Sequence, residues 1–388
     1  MKPRVLFLRS NPIAPDPRVE KEAQALAEEG YRVRVLGWDR TTALPPAEET
    51  PFYRIERLRI PGRVGAGLRN LPHLLRFQLG LLAYLWRRRG EYDIVHACDF
   101  DTVLPALCAK ILWRKRVVYD IFDFYAEMLR KTPSFLKRAI RWVDLRAMGL
   151  ADGIVLADES RIEQIAGARP QRMAIVRNAP HAVPALLPEE VPGPPPLRIA
   201  YVGLLQVERG LMEMLDLLEA HPEWELDLGG YGGEEREIAE RAGRMPNVRF
   251  HGRVPYEKAL GLMGKAHVLF ATYDPSIPNH RYSSANKLFE AMALGKPIIV
   301  AEGTGMDRLV REHGLGFVVR YGNVEDLREA VAQVASWSEE ERRAFAQRVR
   351  SVYEERFAWG KSKESLLSLY ASLAPSPNEG QVISGPPS

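Results

Sequence analysis

The chain has 388 residues, 46% hydrophobic and 27% charged, a globular composition that excludes a disordered or fibrous protein and suits two domains with separate cores. Lysines and arginines number 54 against 50 acids, a net charge of +4, too small an excess over this length for the basic stripe of a dedicated nucleic-acid binder. Cys98 and Cys108 lack CxxC spacing, which argues against a zinc site and a secreted disulfide framework and fits a reducing cytoplasm.

The first residues, Met1-Lys2-Pro3-Arg4-Val5-Leu6-Phe7-Leu8, are basic and then apolar, but Arg9, Asn11 and two prolines interrupt them before a signal-peptide core forms. They read as a buried strand. Arg18 to Glu29 follows with Val19, Ala23, Leu26 and Ala27 on one helical face, ended by Gly30. Strands are expected at 32–38, 93–97, 116–120 and 153–156, separated by helix-length segments. Strand-helix alternation of this kind predicts a parallel sheet covered on both faces. The longest apolar segment, 71–86, contains His73, Arg76 and Gln78 and falls short of the roughly 20 apolar residues that span a bilayer.

A proline run then removes backbone donors and fixes φ, which puts a linker at 188–196 between domains at 1–187 and 197–355. The alternation restarts with strands at 198–203, 225–228, 248–250, 267–271 and 297–301 and helices at 211–219 and 286–293. Helices at 338–350 and 362–373 have charged outer faces; 356–374 is expected to pack back toward the first domain, and 375–388 reads as a disordered tail. The fold class is therefore α/β, with two doubly wound, Rossmann-like domains, and ligands are expected in a cleft where strand carboxyl ends gather their loops.

Walker A, GxSxG, HExxH and complete GxGxxG signatures are absent. The most informative stretch is Tyr282-Ser283-Ser284-Ala285-Asn286-Lys287-Leu288-Phe289-Glu290. Small residues lead into a helix whose N-terminal amides and dipole hold an anion, with Lys287 in the first turn adding a full charge. Glu290 lies one turn on, near the same face, placed to accept from ribose hydroxyls. A capped amphipathic helix with an internal ion pair accounts for the same residues. Ahead of it, Ile199 to Leu211 is a strand leading through Gly203 to Arg209 at a helix start, suited to clamp phosphate or simply to sit in solvent. Between them, Gly229, Gly230, Tyr231, Gly232 and Gly233 permit close backbone approach to a ligand, or form a flexible turn.

In this order, and with Asp16-Pro17-Arg18-Val19-Glu20-Lys21-Glu22-Ala23, Asp93-Ile94-Val95-His96-Ala97-Cys98-Asp99, the 118–127 segment and Val176-Arg177-Asn178-Ala179-Pro180, the chain resembles the retaining GT-B glycosyltransferases of family four. The resemblance runs to Phe357-Ala358-Trp359 and implies a nucleotide-sugar in the second domain and an acceptor in the first. Arg209 matches the lysine of the family's diphosphate-gripping pair, and Leu204 falls at its arginine. Glu290 matches the second of two glutamates, the one on the ribose, while Tyr282 stands at the first. The resemblance thus assigns Arg209, Lys287, Glu290 and His96 to catalysis. Its donor contacts are Gly203, Gly230, Tyr231, Arg253, Val254, Tyr282, Ser283, Ser284 and Ala285, with the base in the loops after Leu228 and around Gly252-Arg253-Val254.

In the acceptor half, His96 matches a His-x-His-Asp sequence in which Cys98 replaces the second histidine, and Phe122 stands where a histidine is frequent. His96 either orients a sugar or is a hydrogen-bonded structural residue. Asn11, Asp16, Asp120, Asp123 and Glu127 are expected to bind the acceptor, although Asp120 also fits a strand end. Asp99-Phe100-Asp101 has the spacing of a metal-binding pair in GT-A enzymes, yet the two-domain plan contradicts that class and Asp101 reads as an N-cap for 102–110. No metal and no cofactor are expected beyond the nucleotide-diphosphate sugar itself.

Arg63 to Arg89, basic and partly helical in period, suits contact with an anionic membrane, and with it a lipid-linked acceptor, or is a packing helix with a solvated basic end. The expected partners are a nucleotide-sugar donor and a hydroxyl acceptor, and no nucleic acid. A nucleotide-sugar 2-epimerase on the same fold and a non-catalytic nucleotide-sugar-binding subunit are the alternatives.

Overall fold

A computed structural model describes residues 2–62, 71–129, 132–180 and 193–373. The chain divides into two compact units at Val176/Arg177 and again at Ser362/Lys363. Residues 188–192 of the expected linker and the expected tail 375–388 lie outside the described residues, as do Arg63 and Arg69 of the basic segment.

In the first unit the strands are β1 (Arg4–Leu8), β2 (Arg32–Asp39), β3 (Ala47–Glu49), β4 (Arg54–Arg59), β5 (Ile94–Cys98), β6 (Arg116–Ile121), β7 (Gly153–Leu156) and β8 (Met173–Ile175). They form one sheet in the order β3-β4-β2-β1-β5-β6-β7-β8, parallel except for the β3–β4 pair. The helices are α1 (Pro17–Glu28), α2 (Leu71–Arg87), α3 (Phe100–Trp113), α4 (Tyr125–Met128), α5 (Ser134–Leu150) and α6 (Arg161–Gln164). α1 begins where Asp16 accepts from the Val19 amide and Pro17 occupies a first-turn position that needs no donor. It buries Val19, Ala23 and Leu26, the face its periodicity marks. The helix expected at Thr102 starts earlier, at Phe100, because Asp99 takes the N-cap position and Asp101 moves into the first turn.

The second unit has a six-stranded sheet of β9 (Leu197–Leu204), β10 (Trp224–Tyr231), β11 (Val248–Gly252), β12 (Val268–Ala271), β13 (Ile298–Ala301) and β14 (Gly316–Val319), all parallel, in the order β11-β10-β9-β12-β13-β14. Its helices are α7 (Leu211–Ala220), α8 (Glu235–Ala242), α9 (Tyr256–Lys265), α10 (Pro278–Arg281), α11 (Asn286–Leu294), α12 (Met306–His313), α13 (Val324–Ser336), α14 (Glu339–Val352) and α15 (Trp359–Ser372). Buried clusters lie on both faces of this sheet, one centred on Phe289 and Ile298, the other on Tyr201 and Phe270. The chain winds outward from β9 in both directions, so the strand order reverses between β9 and β12. That reversal is where doubly wound sheets open a crevice beyond their carboxyl ends.

The first boundary falls before the proline run because 177–180 are held by the second unit. Ala179 joins its core, the Arg177 amide donates to Ser362 Oγ at 3.0 Å, and Tyr353 donates to the Pro180 carbonyl at 2.9 Å. α15 is shared. From Lys363 onward it belongs to the first unit, where Leu366, Tyr370 and Leu373 are fully buried and Lys363 pairs with Glu28 at 2.7 Å.

Candidate functional site

At the β9/β12 reversal the second unit gathers its charged residues. β9 ends at Gly203-Leu204, and the single turn Val207–Arg209 carries Arg209 to the start of α7. The Arg209 guanidinium lies 4.1 Å from the ring centroid of Tyr273, which follows β12. Lys287 is in the first turn of α11, buried, with its ammonium 4.1 Å over the Tyr201 ring. A β-carbon on Gly203 would collide with that ammonium and lie 3.5 Å from the Tyr201 hydroxyl, and one on Gly230 would collide with the Gly203 carbonyl. Glycine at both positions lets β9, β10 and the Lys287 side chain close up.

Electrostatics follow from this crowding. Burial and the nearby Arg209 push the Lys287 ammonium down from its usual value, against Tyr273 and Glu290, which hold it up. Burial alone would raise the Tyr273 phenol, but the Arg209 and Lys287 cations outweigh it and bring it below its usual range. Burial and Arg209 likewise lower His280, whose ring stands 5.3 Å from that of Tyr273. Glu290, also buried, takes a hydrogen bond with Tyr256, whose phenol is raised by burial and by that carboxylate. Arg209 and Lys287 share this small volume with the Tyr273 phenol and the Glu290 carboxylate, at a helix N-terminus whose N-cap, Ala285, has no capping side chain.

The other expected donor contacts surround this core. Ser284 is buried ahead of α11, Ser283 is half-buried, and Tyr282, half-buried, closes α10. At the ends of β10 and β11 the Arg253 guanidinium lies 4.6 Å over the exposed Tyr231 ring, and Val254 packs beside Gly229.

In the first unit the expected acceptor residues meet one another. Asn11 Nδ2 donates to Asp16 at 2.6 Å and Arg9 Nε to the same carboxylate at 2.8 Å; Arg9 also pairs with Asp99. Burial and Asp101 push Asp99 up to about 6, against the pull of Arg9. Phe122 is covered by two guanidiniums, Arg9 at 4.0 Å and Arg18 at 4.9 Å from its centroid.

The expected acidic surface of Asp120, Asp123 and Glu127 is not one surface. Asp120 is fully buried, taking Arg18 Nε at 3.1 Å and a second guanidinium nitrogen at 2.7 Å. Burial opposes its charge but Arg18 holds it down to about 2. Asp123 turns to Arg161 at 3.0 Å, and Glu127 to Arg141 and Gln164. His96 is equally enclosed: Nδ1 meets the Tyr370 hydroxyl at 2.8 Å, Nε2 faces Glu22 at 3.4 Å and Asp120 at 3.5 Å, and burial lowers its pKa. His96 and Asp120 therefore present no surface to a ligand here. The reason is Arg18, which must be neutralised inside the sheet-helix interface and draws the carboxylates inward.

Comparison with known proteins fits this arrangement. A family model described as Glycosyl transferase 4-like domain matches residues 15–179, and one described as Glycosyl transferases group 1 matches residues 196–336. The chain belongs to the group 1 glycosyltransferases. This transferase is 28% identical over 354 residues to the D-inositol 3-phosphate glycosyltransferase of Corynebacterium urealyticum, covering 81% of this chain and 80% of that one. It is 26% identical over 180 residues to the phosphatidyl-myo-inositol mannosyltransferase of Mycobacterium leprae, covering 45% and 46%. Among solved structures, sucrose-phosphate synthase from Thermosynechococcus elongatus superimposes with a TM-score of 0.76 at 16% identity over 95% of this chain and 99% of that one. Anabaena Alr3699/HepE in complex with UDP and glucose gives 0.70 at 16% over 96% and 100%. These two likenesses establish the GT-B fold of the enzyme.

Motif reasoning missed Tyr273, Tyr201, Tyr256 and His280, which the fold sets beside Arg209, Lys287 and Glu290. Tyr201 lay in plain sight on β9 two residues before Gly203. The other three stand outside the phosphate motifs, and only the closure of β9 against β12 and α11 brings them in. Among the described residues no helix is long and apolar enough to cross a membrane.

Proposed function

We propose that this glycosyltransferase takes its sugar from a nucleotide-diphosphate donor seated at the β9/β12 reversal and transfers it, with retention at the anomeric carbon, to a hydroxyl acceptor. The observation that carries this reading is the pairing of two cations beside the N-terminus of α11, Arg209 over the Tyr273 ring and Lys287 over the Tyr201 ring. As the glycosidic bond breaks, negative charge grows on the leaving diphosphate. Two fixed cations and the helix amides stabilise it most in the transition state, where that charge is largest. They supply the positive charge that a divalent ion would otherwise bring, so no metal is required.

Attack comes from the face the diphosphate leaves, and a leaving-phosphate oxygen accepts the acceptor's proton as the new C–O bond forms. Glu290, next to Tyr256, accepts from ribose hydroxyls and fixes the donor's register. Tyr231 with Arg253 forms a flat surface at the ends of β10 and β11 for a nucleobase. A hydroxyl acceptor is in keeping with the relative named a D-inositol 3-phosphate glycosyltransferase.

The test is calorimetric titration with UDP, GDP, ADP, dTDP and CMP, with and without EDTA, of the native enzyme and of Arg209→Gln and Lys287→Met. One diphosphate is expected to bind regardless of EDTA, and each substitution to lower kcat for the matching sugar donor about 100-fold, the usual cost of one transition-state donor. The product's anomeric configuration, read by NMR, checks retention. Binding indifferent to both substitutions, or lost with EDTA, rejects the reading, and donor turnover to an epimerised sugar without acceptor selects the 2-epimerase instead.

A further inference from the structure

Three helices cover one face of the first unit's sheet. Phe77 and Leu81 of α2, Val103 and Leu107 of α3, and Ala147 and Met148 of α5 all belong to a single buried cluster. Their opposite sides face out, and there the pattern inverts what a soluble surface usually shows. Leu75, Leu79 and Trp86 of α2 and Phe135, Trp142 and Leu150 of α5 are exposed, as are Ile111 and Leu112 of α3, at 74% and 66%. On α5 the outward residues run Phe135, Arg138, Trp142, Arg146, Leu150, an apolar and basic alternation at helical spacing.

Charge on these helices has one sign outside. Together they hold seven lysines and arginines and two acids, Asp101 and Asp144. Asp144 is fully buried under the Tyr119 hydroxyl at 2.7 Å, and Asp101 is half-buried in the first turn of α3. Each exposed tryptophan has a guanidinium over its ring, Arg146 on Trp142 at 5.3 Å and Arg89 on Trp86 at 5.7 Å. An apolar patch of this extent marks an interaction surface.

We infer that the outer face of α2, α3 and α5 seats the enzyme on an anionic lipid bilayer, lying in the interface without crossing it. Tryptophan suits the headgroup level, with its apolar ring inward and an arginine reaching to phosphate. Leu75, Leu79 and Ile111 supply apolar area to the acyl boundary, and the basic residues meet the negative surface potential. A second copy of the chain fits the face poorly, because a twofold contact would set these cations against themselves with no exposed acid on the three helices to pair with.

Flotation of the full-length enzyme with vesicles tests this, using phosphatidylcholine alone and equal parts phosphatidylcholine and phosphatidylglycerol, at low and high salt. The enzyme is expected to float with the anionic vesicles only, and less so at high salt. Arg138→Gln with Arg146→Gln reduces partitioning about 25-fold, near fivefold per cation, and Trp142→Ala with Leu79→Ser reduces it about tenfold. Urea melts that match the native enzyme, read in parallel, show the variants folded. Failure to float at low salt, or flotation equal for native and substituted protein, overturns the inference. So does a native dimer that the same substitutions split while no vesicle is bound, which would make a second copy the occupant.

Discussion

Lys287 and Gly203 exclude each other's enlargement: the ammonium occupies the space that any β-carbon on Gly203 would need. The glycine is thus part of the cation's seat. Gly203→Ala should drive Lys287 out of its place over Tyr201, weakening nucleoside-diphosphate affinity about tenfold or more at a cost in kcat. Calorimetry and steady-state kinetics on the variant check this. Affinity within twofold of native would mean that the ammonium is free to resettle.

Ligand binding at this site should take up protons. Arg209 and Lys287 hold the Tyr273 phenol below its usual value, and burial with Arg209 holds the Lys287 ammonium down. A diphosphate set against the two cations offsets their pull on both groups, so both pKa values rise and each group binds more proton in the complex. Calorimetry at alkaline pH in two buffers of different ionisation enthalpy should show net uptake, smaller in Tyr273→Phe. Proton release would contradict the geometry.

A buried acid in the first unit should tilt stability with pH. Asp144 is raised to about 7, chiefly by burial and against the Tyr119 hydrogen bond, from an ordinary value of 3.8. The folded state then holds a proton that the unfolded chain releases first. Its stabilising share is complete below about pH 4 and is lost as pH rises through about 7, a swing of about 4 kcal/mol at most. Asp144→Asn keeps a neutral partner for Tyr119 and should flatten this slope. Urea melts of both proteins at pH 5 and pH 8 measure it.

Tyr370→Phe removes only the hydroxyl, which meets His96 Nδ1 at 2.8 Å. With His96 fully buried, a loss of about 1–3 kcal/mol is expected in denaturant melts. Diphosphate binding should hold, since Lys287 and Arg209 lie in the other unit.

Much of this was legible in the sequence. Fully buried strands such as Ile94–Cys98 and Gly153–Leu156 read as apolar runs, and the helix periodicity of α1 marked its buried face. Arg209, Lys287 and Glu290 could be singled out from the small residues and glycines around them, and the fold brings the three together around Tyr273. β4 was not legible: its sequence, Arg-Ile-Glu-Arg-Leu-Arg, buries Glu56 and Arg57, and Arg57 pays for this with bonds to the carbonyls of Pro12 and Pro45 that no local pattern announces. Nor could the sequence tell that Asp120 would turn inward, since its partner Arg18 is 102 positions away. Tyr273 was missed for the same reason, its meaning residing in residues that precede and follow it at a distance.

The last turns of α15 have a consequence for how the molecule is made. Tyr370 reaches the centre of the first unit, beside Tyr31 at 5.6 Å and His96 at 2.8 Å, yet it is translated after the whole second unit. As the chain leaves the ribosome, the first unit must wait with His96 lacking its tyrosine and the pocket for Leu366 and Leu373 open. Its sheet is begun first and its core is closed last, so a nascent chain interrupted anywhere in the second unit carries an unsealed hydrophobic gap, a natural mark for chaperones and proteases to recognise.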